Sequence, residues 1–157
     1  MYEANYIRLR KLCGHKDSMP PIAVSRVAQG MDLYLQVLEQ TRYTSTIALT
    51  YYFTDAHHGF LAYPDLKLRI YYDALQAEVI SQSFKCKNRG WSKYTNSACS
   101  SLLTRWKMNR FLFKWLSFCN QQGHSFIVHD QSQQNFLLTE GIEVPLQSIP
   151  YSGNVLQ

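Results

Sequence analysis

The stretch of the chain that decides the fold is LKLRIYYDALQAEV, residues 66–79. Apolar and polar residues alternate on both sides of Asp73-Ala74, which is typical of two half-buried strands joined by a turn. The apolar residues that share one face are Leu66, Leu68, Ile70 and Tyr72 in the first strand and Leu75, Ala77 and Val79 in the second. The stretch therefore predicts an antiparallel hairpin.

The register of this hairpin follows from the requirement that both apolar sets face one core. A turn centred on Asp73-Ala74 meets that requirement and pairs Ile70 with Ala77. A slip of one residue would turn every side chain to the opposite face, so the register is strongly specified. The same register places Arg69 opposite Glu78 on the outer face, where we expect a cross-strand ion pair.

The residues before the hairpin predict one helix and three further strands. The helix covers Tyr2–Leu12 and ends at Gly14. Alternating or β-branched residues then predict strands near residues 22–27, 31–38 and 44–53, and the chain turns at 55–59. After the hairpin, lysines on either side of Cys86 are typical of an edge strand.

A long helix follows, begun by a cap at Asn96 or Ser97 and ended by Gly123. Its predicted apolar arc contains Leu102, Trp106, Met108, Leu112, Phe113, Trp115, Leu116 and Cys119. Arg105 and Asn109 project into that arc. Because an unpaired buried polar group costs about 1–3 kcal/mol, we expect both to have partners.

Together these elements predict a single α+β domain over residues 1–130. Its core is an antiparallel meander sheet of about five to six strands, packed by an N-terminal helix and one long C-terminal helix. Phe126–Val128 is predicted as one more short strand. Residues 131–157, rich in Gln, Asn and Ser, are predicted to form an irregular C-terminal tail.

Charge is divided unevenly along the chain. Residues 1–114 contain all 16 Lys and Arg against 8 of the 11 acidic residues, a net charge of +8. Residues 115–157 contain no Lys or Arg, and their acidic residues Asp130, Glu140 and Glu143 give −3. The split favours an acidic partner for the front portion or a tail that covers part of it, and ordinary solvated surface is the simpler interpretation.

The composition also bears on the cellular compartment. No stretch is apolar over the roughly 18–20 residues that a transmembrane helix needs, and the N-terminus lacks the apolar core of a secretory signal. The four cysteines form no C-x-x-C pair. We therefore expect a cytoplasmic protein that has no membrane contact and keeps its cysteines reduced.

No motif of a common enzyme class occurs, whether P-loop, G-x-G-x-x-G, H-E-x-x-H or G-x-S-x-G. The best candidates for metal ligands are His57 and His58 in a turn, and His124 with His129 and Asp130 after the long helix. In neither group does the sequence fix a third ligand at a spacing that would hold a metal. We expect these to be ordinary surface histidines. The sequence predicts no cofactor and no metal. It favours a chain that is not an enzyme, with an enzyme kept as a third alternative after the two binding functions given below.

The densest polar group lies on the outer face of the hairpin, and residues at the head of the third strand could join it. The candidate binding residues are Arg42, Tyr43, Arg69, Tyr71, Asp73, Glu78, Arg105 and Asn109. A carboxylate held ionised beside an arginine suits ligand binding better than general acid catalysis. A purely structural ion pair with a turn aspartate is the alternative interpretation.

A second candidate surface is basic and aromatic, over residues 85–94. Its residues are Lys85, Lys87, Arg89, Trp91 and Lys93. Lysine and arginine bind phosphates, and aromatic rings stack on bases, so this pattern indicates a possible nucleic-acid surface. It contains no recognised nucleic-acid-binding motif, and a solvated basic surface explains it equally.

Four groups of residues together resemble a known family. They are Ala4-Asn5-Tyr6 with Leu9, Thr41-Arg42-Tyr43-Thr44, Arg69-x-Tyr71-x-Asp73-Ala74 with Ala77-Glu78-Val79, and Asn109-x-Phe111-Leu112-x-x-Trp115-Leu116 with Cys119 and Gly123. Over roughly residues 2–125 the chain resembles the YqiB-like proteins, a proteobacterial family of unknown function. The resemblance implies a cytoplasmic bacterial protein and brings no established activity.

From these patterns we expect a non-catalytic binding or accessory protein. It would use the polar sheet face to bind another protein or a small acidic ligand. The alternative is a nucleic-acid-binding protein that uses residues 85–94.

Overall fold

The computed structural model describes residues 1–28, 30–55, 59–86, 90–95 and 102–127, with the backbone alone at 54–55, 59–60, 82–86 and 90–95. The elements in these ranges are α1 (Tyr2–Cys13), β1 (Ile22–Ser25), β2 (Leu33–Gln40), β3 (Thr44–Asp55), β4 (Gly59–Ala62), β5 (Asp65–Tyr71), β6 (Gln76–Cys86), β7 (Gly90–Thr95) and α2 (Leu102–Gln121). A short 3-10 turn at Lys16–Ser18 follows α1. The predicted α+β class is confirmed, with its N-terminal and long C-terminal helices.

The strands form one antiparallel sheet in the order β1-β2-β3-β5-β6-β7. Each strand of this path lies beside its neighbour along the chain, as the predicted meander requires. The short strand β4 was not predicted; it pairs with the end of β3, residues 52–55. Its four residues are too few for an alternating pattern to stand out.

The central hairpin has the predicted register. Ile70 pairs with Ala77 and Arg69 with Glu78, and both members of the first pair are buried. Leu75 was predicted to face the core and does not. It lies in the connecting turn with φ 53° and is 52% exposed, because the strand resumes only at Gln76.

The core lies between the sheet and the two helices. α1 packs against α2 and β6. It buries Asn5, Leu9, Leu12 and Cys13, and it ends where Gly14 adopts φ 76°. The inward strand residues are Leu33, Leu35, Ile47, Leu49, Tyr51, Leu66, Leu68, Ile70, Ala77 and Val79, all of them buried.

The long helix buries much of the predicted arc, namely Met108, Leu112, Trp115, Leu116 and Cys119, together with the polar Asn109. Two predicted core residues are exposed instead: Leu102 is 80% and Trp106 44% accessible. Both lie in the first turns of α2, beyond the part that packs on α1. Phe113 lies under the guanidinium of Arg8, 3.8 Å from its ring centroid.

Residues 124–127 are irregular, so the predicted strand at Phe126–Val128 is wrong over its described part. Phe126 is nevertheless buried, and its amide donates to the Leu12 carbonyl at 2.8 Å. Val128, the tail at 131–157 and the predicted helix cap at Asn96 or Ser97 lie outside the described residues. Neither described helix is long and apolar enough to cross a membrane.

His124 was predicted to be a surface residue and is buried. Its Nδ1 lies 3.1 Å from the Ser25 hydroxyl, and its ring tilts against that of Tyr51. The amide of His124 donates to the Cys119 carbonyl, so the turn after α2 directs the imidazole inward. Burial lowers the pKa of this histidine.

Candidate functional site

The outer face of the β5–β6 hairpin carries a hydrogen-bonded polar group. The Tyr71 hydroxyl donates to Glu78 Oε1 at 2.9 Å. Arg69 lies two residues before Tyr71 on the same face, and its Nε donates to Thr46 Oγ1 at 3.5 Å. Burial, then the Glu78 carboxylate, raises the pKa of Tyr71, while the Arg69 guanidinium acts to lower it. Tyr71 therefore stays protonated and donates this hydrogen bond to Glu78 throughout the physiological pH range.

The second charged partner of Glu78 comes from the helix. Arg105 Nη2 lies 3.4 Å from Glu78 Oε2. The side chain of Glu78 is 15% exposed, whereas that of Arg105 is 41% exposed. We call Arg69, Tyr71, Glu78 and Arg105 the guanidinium–carboxylate cluster. It is accessible from the side of the helix.

Asn109 explains how a residue of α2 reaches the outer face of the sheet. In the described ranges, β7 pairs with residues 81–86 of β6, and further back along β6 the Val79 amide donates to Asn109 Oδ1 at 3.1 Å. The helix therefore lies beside β6 at Val79. Asn109 Nδ2 in turn donates to the Arg105 carbonyl at 2.9 Å, one helical turn earlier.

The expected ion pair between Arg69 and Glu78 is not formed. The two residues are cross-strand partners as predicted, but the cation that pairs with Glu78 is Arg105. Tyr71 takes one carboxylate oxygen and Arg105 approaches the other. Glu78 is therefore also the partner that was expected for Arg105, the charged residue in the apolar arc of the helix.

Three other candidate binding residues lie apart from the cluster. The guanidinium of Arg42 lies 5.2 Å from the ring centroid of Tyr43, so these two residues contact each other. Asp73 Oδ1 accepts from the Ala74 amide within the turn. Their side chains make no hydrogen bond or ion pair with Glu78. Their described contacts are local, and their role in binding stays a prediction.

Asn5 is a buried polar residue that sequence analysis did not single out. It is fully buried in α1, and its Nδ2 donates to the Asn109 carbonyl at 3.3 Å. Its Oδ1 is buried without a hydrogen-bond partner. The sequence does contain a signal for this burial. Asn5 lies at helical spacing from Leu9 and Leu12, which places its amide side chain among the inward residues of α1.

The basic, aromatic segment cannot be assessed as a surface. Lys87 and Arg89 lie outside the described residues, and the side chains of Lys85, Trp91 and Lys93 are likewise not described. The nucleic-acid alternative stays a prediction. His57, His58, His129 and Asp130 also lie outside, and the described residues contain no group of three side chains able to hold a metal.

Comparison with known proteins assigns a family. The model of a family described as "Protein of unknown function (DUF1249)" matches residues 8–125. The chain belongs to the DUF1249 family. The matched range contains all four residues of the guanidinium–carboxylate cluster, and it ends before residues 128–157.

Proteins similar to this chain come from Escherichia coli. The Uncharacterized protein YqiB of strain K12 is 31% identical over 123 residues, which cover 77% of this chain and 84% of that protein. The YqiB proteins of E. coli O6:H1 and O157:H7 match to the same extent. No solved structure matches this chain. The predicted resemblance to YqiB-like proteins of unknown function is confirmed.

Proposed function

We propose that this chain is a cytoplasmic, non-catalytic binding protein whose guanidinium–carboxylate cluster holds a small acidic ligand. The observation that carries the proposal is the Nε of Arg105, which is buried without a hydrogen-bond partner in the described part of the chain. Buried donors in folded proteins are nearly always paired. The Arg105 side chain is 41% exposed as a whole, so a ligand that binds its outer N–H groups and turns the guanidinium would bring an acceptor to this Nε.

The charge of the cluster favours an anion. Two guanidinium groups, Arg69 and Arg105, face one carboxylate, Glu78, which leaves one positive charge in excess. The contacts that each arginine makes are long, 3.5 Å from Arg69 to Thr46 and 3.4 Å from Arg105 to Glu78. Each guanidinium has five N–H donors, so donors remain for the oxygens of a carboxylate or phosphate.

The residues around Arg105 hold its side chain in position before a ligand binds. Its backbone carbonyl accepts from Asn109, whose Oδ1 is bound to the Val79 amide, so the helix is tied to the sheet beside the cluster. Glu78 orients the guanidinium from the other side. A cation held by neighbouring groups loses less side-chain entropy when a ligand binds.

The cytoplasmic part of the proposal rests on the cysteines. Cys13 and Cys119 are both free and buried. Burial raises the pKa of the Cys13 thiol to about 12 and that of Cys119 to about 11, so both stay protonated at neutral pH. Free thiols without disulfides are typical of proteins in a reducing compartment.

A nuclear magnetic resonance titration tests the ligand proposal. Inorganic phosphate and citrate are added separately to the full chain. The side-chain Nε–H signal of Arg105 is followed in the unmodified chain, and the backbone amide signals of Tyr71 and Glu78 are followed in every variant. We expect a saturable shift with at least one of them. Arg105→Met should weaken binding by about tenfold or more, because a hydrogen bond to a charged group contributes about 1.5–3 kcal/mol.

Arg26→Met is the matched control. Arg26 also pairs with one carboxylate, Asp32, at 3.3 Å and is 40% exposed, but it lies away from the cluster. This variant should bind the probe as the unmodified chain does. The proposal is wrong if neither probe saturates up to roughly 10 mM, well above the dissociation constant of weak specific binding, or if the two variants respond alike.

A further inference from the structure

The outward side of α2 is an exposed face of mixed apolar and basic character. At about 100° per residue, six apolar or basic residues of α2 fall within an arc of about 120°. They are Leu103, Trp106, Lys107, Arg110, Lys114 and Phe118, and all six are exposed. We call these six residues the outer face of α2.

The apolar part of this face is unusually open for a helix of a folded domain. Leu103 is 57%, Trp106 44% and Phe118 48% exposed. The guanidinium of Arg110 lies 5.0 Å from the Trp106 ring centroid, so cation and ring form one surface. Large apolar side chains rimmed by charge commonly mark a place where another chain segment binds.

The basic part of this face has no counter-charge within the helix. The sequence of α2 contains Arg105, Lys107, Arg110 and Lys114 and no acidic residue. Exposed helices usually relieve such charge with acidic residues three or four positions away. A segment that covers this face should therefore be acidic as well as apolar.

We propose that residues 128–157 of the same chain fold back along α2, antiparallel to it, and cover the outer face. This segment contains Asp130, Glu140 and Glu143 and no Lys or Arg. Its charge is therefore opposite to that of the helix that precedes it.

The order of residue types along the segment also matches the face. From its C-terminal end, the face presents Phe118, then the three basic residues, then Trp106 with Leu103. The segment presents apolar residues 136–138, then its two glutamates, then apolar residues from Val144 to Ile149. An antiparallel arrangement places apolar residues over apolar ones and glutamates beside the basic ones.

Residues 128–157 are long enough to cover the outer face of α2, and they follow residues that lie at the C-terminal end of this helix. Asn5 contacts Asn109, and Arg8 contacts Ser117 four residues before Gln121, so α1 and α2 run parallel with their C-terminal ends together. Phe126 is bound to Leu12 at that end. The fourteen residues 136–149 span up to about 46 Å when fully extended, and the distance from Phe118 to Leu103 is about 22 Å along the helix.

This inference does not depend on the proposed ligand. Arg105 and Asn109 point to the sheet, whereas the outer face of α2 points away from it. A failure of one proposal therefore leaves the other standing.

The test measures how well a soluble gadolinium chelate reaches Trp106 in the full chain. The chelate broadens resonances of exposed protons, so the Trp106 indole N–H reports whether the face is covered. We expect several-fold less broadening in the unmodified chain than in two tail variants, Glu140→Lys with Glu143→Lys, and Phe136→Ser with Leu138→Ser. Salt near 1 M should act as the charge reversal does, because it shortens the Debye length to about 3 Å.

Two further chains separate charge complementarity from nonspecific effects. Glu3→Lys with Glu39→Lys changes two exposed acidic residues elsewhere and should leave Trp106 protected. Adding Lys107→Glu and Lys114→Glu to the charge-reversed tail should restore protection. The proposal is overturned by equal broadening in the unmodified chain and both tail variants, by failure of the charge swap, or by protection that increases with protein concentration, which would indicate a second copy.

Discussion

His124 is held neutral by its position beneath the turn that follows α2. It is buried, hydrogen-bonded to Ser25 and packed against Tyr51. Burial lowers its pKa below the ordinary value of 6.5. The unfolded chain therefore binds a proton that the folded chain resists, and stability is lost as the pH falls below about 6.5.

We predict that His124→Asn flattens this part of the pH profile. The free energy of unfolding, measured by urea denaturation between pH 7 and 5, should fall less steeply in the variant than in the unmodified chain. His15→Asn is the control, because His15 is exposed. An unchanged slope in His124→Asn would show that another group carries the acid sensitivity.

At the scale of the element, the β5–β6 hairpin has one strained position. Leu75 adopts φ 53° with an exposed side chain, and a left-handed conformation costs most residues about 1–2 kcal/mol. Asparagine tolerates it better. We predict that Leu75→Asn raises the free energy of unfolding by roughly 0.5–1 kcal/mol. Ala74→Asn, at the neighbouring exposed position, should not; equal effects of both would contradict the explanation.

The same hairpin shows what the sequence could predict at this scale. Alternation defined its faces and register because only one register buries both apolar sets. The bulge at Ile80, where Leu68 pairs with Val79 but Lys67 with Ser81, was not predictable. A bulge is an extra residue that alternation alone cannot distinguish from a change of face.

The candidate site was predicted in part for the same reason. Arg69, Tyr71 and Glu78 lie on one face by strand periodicity, and helical periodicity placed Arg105 among apolar residues. Which cation pairs with Glu78 depends on how α2 lies against β6, and that is set by the Asn109–Val79 hydrogen bond. A contact between residues 30 positions apart cannot be predicted from the periodicity of either element alone.

For the whole molecule, the core holds ionisable groups that must stay uncharged. The Tyr51 hydroxyl lies 3.4 Å from Cys119 Sγ. Burial, with this contact, raises the pKa of Tyr51, and burial raises those of Cys13 and Cys119. The stability that these neutral groups contribute is complete below the pKa values of the unfolded chain, 9.0 for thiols and 10.0 for tyrosine. It is lost as the pH rises through the higher pKa values of the folded chain.

We predict that Tyr51→Phe reduces this alkaline sensitivity. Between pH 9 and 11, the free energy of unfolding should decline less in Tyr51→Phe than in the unmodified chain. Tyr43→Phe removes a tyrosine that is 52% exposed and should leave the decline unchanged. Indistinguishable profiles for the two variants would show that the buried phenol does not set the alkaline limit.

The hydrogen bond from β6 to Asn109 has a consequence for synthesis. A ribosome makes the described strands before it makes α2, so this contact between sheet and helix forms only after the strands have been made. Uncovered strand edges recruit other strands, and partly made chains are prone to aggregate in this way. Completion of the fold is therefore a late event, and the newborn chain is most vulnerable in the interval before its last helix emerges.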